Sequence, residues 1–231
     1  MVGKSLTNMK AATRQILLDL QEAFDFHRNP FVAAPMAKYM KDKFEYIGLP
    51  QPVRKSLAAD FLKAAAKLDT TEILALTKAL WKLKEREYQY TALDLLLKTK
   101  KKWDPDCLQI FLELVTRKSW WDTVDALATR MIGGYYAGQP LPDTMVQWVA
   151  SDNIWQNRTA LLFQMHYKEN TDTAFLSDAI LRLREKNDFF IQKAIGWALR
   201  QYHRTNPAWV EAMVENAALR GIAKREALKH A

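Results

Sequence analysis

The run Glu85-Arg86-Glu87-Tyr88-Gln89-Tyr90-Thr91-Ala92-Leu93-Asp94-Leu95-Leu96-Leu97 contains an alanine whose counterparts recur along the chain. Ala58, Ala126, Ala160 and Ala194 stand at multiples of 34 residues from Ala92, and Ala227 arrives one residue early. Leu93, Leu127, Leu161, Ile195 and Leu228 follow five of these six alanines. An aromatic residue precedes the central members by four or five positions: Tyr88, Trp121, Trp155, and Phe189 with Phe190. A fixed period of this size marks a repeat array whose units stack on their neighbours, the small alanine letting helices approach.

Each period has room for two helices. Thr70-Thr71 opens ILALTKALWKL, and EREYQYTALDLLL follows after a short charged break. Asp104-Pro105 and Asn206-Pro207 are helix starts, an N-cap followed by Pro in the first turn. Ser119 is expected to start another helix, Gly133-Gly134 to end it, and Pro140 to Asp143 to open the next. No run alternates as a strand does. The expected fold is all-α, an α-solenoid of HEAT-like helical repeats forming one domain over 1–231. The alternative, an irregular helical globule, does not account for the spacing.

Apolar residues make up 49% of the 231, which excludes a disordered chain. The formal charge of +8 suggests a polyanionic partner. Cys107 is the sole cysteine, so no intrachain disulfide can form; it reads as a small core residue. Met1 to Asn8 lack the apolar run of a signal peptide, and no stretch approaches a membrane span. A cytoplasmic protein with no membrane partner is expected. His27, His166, His203 and His230 are scattered, no glycine-rich phosphate loop occurs, and no cofactor or metal is expected.

The stretch Ser119-Trp120-Trp121-Asp122-Thr123-Val124-Asp125 carries the most chemistry. Ser119 with Asp122 three positions on has the form of a capping box, which gives Asp122 a structural role. Trp120, Val124, Leu127 and Met131 form a core stripe at helical spacing. Trp121, Asp125 and Ala128 lie around the helix from that stripe, at the margin of the apolar surface. A carboxylate there requires a partner, and the plain structural reading is an ion pair with Arg or Lys of the adjacent repeat. Arg158, in an apolar helix, could be a brace between repeats. Trp197 could be core, and Gly196 before it permits close backbone approach. Basic residues recur from Lys98, Lys100, Lys101 and Lys102 through Arg117-Lys118, Arg182, Arg184, Lys193, Arg200 and Arg204 to Lys224-Arg225. One cation per repeat at the same phase would line a groove suited to phosphates.

The motifs PMAKYM, LWKLKEREYQYTALDLL, KSWWDTVD, SDNIWQNRTALLFQ and NDFFIQKAIGWALRQY resemble the bacterial alkylpurine DNA glycosylases of the AlkD type, in matching order from about Phe24 to His230. The resemblance implies a HEAT-like repeat fold that clasps double-stranded DNA containing alkylated purines, acting as a monomer. It implies Asp125 as the catalytic carboxylate, Trp121, Trp197 and Tyr39 as lesion-binding residues, and Arg158 as a DNA contact. Lys193 and Arg200 are taken as further DNA-binding residues. The implied substrates are N3-alkyladenine and N7-alkylguanine, cationic bases that leave readily. A carboxylate near the oxocarbenium-like sugar would stabilise it. At about 4 Å and an effective dielectric of ~20 the attraction is roughly 4 kcal/mol, up to roughly three decades in rate. The competing readings are a non-catalytic HEAT-type protein scaffold and an inactive DNA-binding relative.

Overall fold

The computed structural model describes residues 9–229. It is all-α and built of helical repeats; among the described residues the one extended pairing is an isolated bridge between Glu45 and Glu85. The helices form two compact units that divide between Cys107 and Leu108.

The first unit contains α1 (Ala11–Phe26), α2 (Pro30–Tyr39), α3 (Gln51–Leu57), α4 (Ala59–Ala65), α5 (Thr70–Lys82) and α6 (Arg86–Lys98). Glu87 organises its centre. The fully buried carboxylate accepts three successive backbone N–H groups, from Ile47 at 3.0 Å, Gly48 at 2.9 Å and Leu49 at 3.1 Å. Gly48 is required in that loop: its φ is +97°, and a Cβ there would lie 2.1 Å from the Asn29 carbonyl oxygen. Arg86, also fully buried, lies over the Phe44 ring at 3.7 Å.

α7 (Pro105–Val115) spans the division. The second unit continues with α8 (Trp121–Ala126), α9 (Gly133–Tyr136), α10 (Asp143–Val149), α11 (Ile154–Leu162), α12 (Thr173–Leu183), α13 (Phe189–His203), α14 (Pro207–Asn216) and α15 (Gly221–Ala227). The second helices of successive pairs, α8, α11, α13 and α15, pack each on the next. The repeat alanines Ala58, Ala92, Ala160, Ala194 and Ala227 are buried, as their role as spacers requires, while Ala126 is half-buried.

A second repeating feature is an amide that closes the turn between paired helices. Gln89 Nε2 donates to the carbonyls of Leu80, Trp81 and Leu83 at the end of α5. Asn157, two periods later, donates to Trp148, Val149 and Ser151 after α10. Gln192 does the same for Arg184 and Lys186 after α12. Each amide satisfies carbonyls that a helix end leaves without intrahelical partners.

Two expected boundaries differ. Trp120, not Ser119, is the N-cap of α8, and the Ser119 hydroxyl donates back to the Val115 carbonyl at 2.7 Å. The capping box therefore does not form, and Asp122 sits in the first turn. Gly133-Gly134 does not end the helix, which runs on through a π segment (Leu127–Ile132) into α9. Gly133 instead lets α11 approach, since a Cβ there would lie 2.1 Å from the Phe163 carbonyl oxygen. The π segment buries Leu127 and Ala128, then Met131 and Ile132, so Ala128 faces the core rather than the margin. Asp104, Asn206 and Cys107 are as expected: two N-caps accepting backbone N–H bonds and one buried free thiol, burial pushing its pKa up to about 11.

Candidate functional site

Stacked repeats set each position beside its counterpart about 34 residues on, and the candidate site is assembled by that register. α8 begins at Trp121 and presents Asp125 one turn later. α11, capped by Asn153, presents Arg158, which is 33 residues from Asp125. The Arg158 guanidinium meets the Asp125 carboxylate in a two-pronged pair, Nε to Oδ1 at 2.6 Å and Nη2 to Oδ2 at 2.8 Å. The third edge of the fork, Nη1, donates to the Phe190 carbonyl on α13. Arg158 thus ties three successive repeats together. Its carbon Cζ lies 6.0 Å from the centre of the Trp197 ring.

The Arg158 side chain is 4% exposed and that of Asp125 14%. Burial raises the Asp125 carboxyl above its ordinary pKa; Arg158 works against that shift and the nearby negative charge of Asp122 adds to it. The planar guanidinium fork matches the two oxygens of an ionised carboxylate. A carboxylate has about four lone-pair sites, of which the fork takes two, leaving each oxygen able to accept once more.

The pair is the brace between repeats that the plain reading of Asp125 required. Arg158, expected as a DNA contact, is buried and points to protein partners. Asp125, Arg158 and Trp197 are brought together, and Trp121 lies one turn before Asp125 on the same helix, half-buried. Trp120 joins an aromatic cluster across three repeats: its ring lies 5.6 Å from Trp155 and 5.0 Å from Phe190, and those two are 5.1 Å apart, edge-on or tilted. Tyr39, on α2 of the other unit, is 70% exposed.

Several cations of the expected basic stripe are engaged within the protein. Lys102 Nζ donates to the carbonyls of Ala66 and Leu68, Arg184 to that of Ala217, and Arg182 pairs with Asp178. Lys193 and Arg200 both bind Glu226, a residue the sequence does not single out. Gly196 serves helix packing, since a Cβ there would lie 2.5 Å from the Glu226 Cβ. Among the described residues no group of three His, Cys, Asp or Glu could hold a metal, and no helix is long and apolar enough to cross a membrane.

Comparison with known proteins agrees with this architecture. A predicted DNA alkylation repair enzyme from Enterococcus faecalis superposes with a TM-score of 0.84 at 37% identity, covering 88% of this chain and 96% of that one. A search of curated proteins gives no match. The family model of DNA alkylation repair enzymes matches residues 20–231, and on that evidence the chain belongs to the DNA alkylation repair enzyme family.

Proposed function

We propose that the protein is a monofunctional DNA glycosylase that hydrolyses the N-glycosidic bond of N3- and N7-alkylpurines in duplex DNA. The observation that carries this reading is the Asp125 carboxylate, fixed by Arg158 beside Trp197 yet still partly open to solvent. A base made cationic by alkylation departs as a neutral molecule, taking the bonding electrons and leaving an oxocarbenium-like sugar. The free lone pairs of Asp125 stabilise that sugar and orient the water that adds to it, the proton of the water passing to the carboxylate or to solvent. Because Arg158 neutralises part of the carboxylate's field, the gain lies below the roughly 4 kcal/mol of an unpaired carboxylate at about 4 Å. A cationic leaving group needs no general acid. Schiff-base chemistry needs a desolvated lysine, and Lys193, the lysine nearest Trp197 in sequence, is bound to Glu226 instead.

The pair itself favours a second reading, in which Asp125 only braces the repeats and the protein is a non-catalytic DNA-binding module. Incubation with N7-methylguanine duplex DNA separates the two. The glycosylase reading expects released base and an intact abasic strand; the binding-module reading expects a retained duplex and no release.

A further inference from the structure

Glu226 of α15 lies against Gly196 of α13. The absent side chain at Gly196 leaves room for the Glu226 Cβ, and the carboxylate beyond it reaches Lys193, three residues before Gly196, and Arg200, four residues after. Oε1 accepts from Lys193 Nζ at 2.8 Å and Oε2 from Arg200 Nη1 at 2.6 Å. The three side chains are 38%, 24% and 18% exposed for Lys193, Arg200 and Glu226, so the cluster borders solvent. Trp197, the ring beside Arg158, lies between the two cations on the same face of α13.

Two cations drawn onto one carboxylate repel each other unless an anion lies between them, and a brace between helices would need only one. Lys193 holds the Glu226 carboxyl below its ordinary pKa, Arg200 adding to that and partial burial opposing it, so the intervening group is an anion. A phosphodiester presents two anionic oxygens much as a carboxylate does, and both Lys and Arg bind it. The geometry points to a phosphodiester subsite formed by Lys193 and Arg200, in which the Glu226 carboxylate is a tethered occupant that duplex DNA displaces. The subsite rests on the DNA-repair reading for its ligand. It makes Glu226 an internal competitor that weakens binding to DNA at large and sets how firmly the backbone beside Trp197 is held.

The test is binding of a short undamaged DNA duplex to the full chain, followed by fluorescence anisotropy. Glu226→Gln is expected to tighten binding roughly three- to fivefold, the scale of one removed charge-pair competitor. Glu226→Ala, which keeps the Cβ seated on Gly196, should do the same. Glu185→Gln, the same change of net charge at an 87% exposed carboxylate, should alter affinity by less than about twofold. In a chain carrying both Lys193→Gln and Arg200→Gln, the gain from Glu226→Gln should vanish, and the salt slope should fall by roughly 1. Equal or weaker binding by both Glu226 variants, or a gain that survives in the Lys193/Arg200 background, would overturn the subsite while wild-type binding upholds the DNA-repair reading. Absence of duplex binding by wild type and variants alike would overturn both.

Discussion

Asp125 is both one half of a buried pair with Arg158 and the proposed catalytic carboxylate, and the two roles can be separated. Asp125→Asn retains one acceptor for the fork but loses the charge. Because burial opposes the ionised carboxylate while Arg158 favours it, the loss of charge should change stability by less than about 1 kcal/mol, read by urea denaturation. Asp122→Asn, which removes a negative charge from the first turn of α8, should cost about 0.5 kcal/mol. The pH dependence has a definite sign. The folded-state pKa of Asp125 lies above its unfolded value, so the stability this group contributes is fully present below the unfolded value. It is lost as pH rises through the folded one. Catalysis by the carboxylate runs the other way, rising as Asp125 ionises. Single-turnover base release should therefore increase with pH through an inflection above the ordinary aspartate range, and Asp125→Asn should abolish that inflection.

At the scale of elements, the close approach of α11 to Gly133 gives the clearest prediction. Gly133→Ala places a Cβ against the Phe163 carbonyl and should destabilise by about 3 kcal/mol in thermal or urea unfolding. Gly138→Ala, in open space at φ +78°, should cost about 1 kcal/mol, the strain of its backbone alone. The two glycines show why some boundaries were legible in the sequence and others were not. Asp104-Pro105 and Asn206-Pro207 start helices by local chemistry, an N-cap and a fixed φ, and both are where the sequence puts them. Gly133 acts through a partner about 30 residues away in another repeat, which local punctuation cannot reveal. That Trp120 meets Trp155 and Phe190 likewise depends on where α8 begins, since one residue of shift turns the helix by about 100°. The amides Gln89, Asn157 and Gln192 do repeat near the 34-residue period, and the signal was present in the sequence beside the alanines. Asn157→Ala would leave the carbonyls of Trp148, Val149 and Ser151 without their donor, at a cost of about 2 kcal/mol.

Over the whole molecule, the repeat fixes which residues can meet. The 34-residue period made Asp125 and Arg158 neighbours, so their pairing was foreseeable once the register was known. The fate of the basic residues was not: a formal charge of +8 does not reveal that Lys102, Arg184, Lys193 and Arg200 are each held by protein acceptors. Duplex binding by the wild-type chain should weaken steeply with salt, and Asp125→Asn should retain both the binding and its slope. The lesion panel follows from the absence of an assigned general acid: uracil, hypoxanthine and 8-oxoguanine leave as poor anions and should be excised slowly if at all. The most direct measurement is the single-turnover release of N7-methylguanine from duplex DNA by wild type and Asp125→Asn, at protein concentrations that saturate binding for both and at a temperature where both are folded. A fall of about two to three decades in the variant, with the bound fraction unchanged, is the predicted result. Release by the variant at the wild-type rate would contradict the account and leave Asp125 a brace alone.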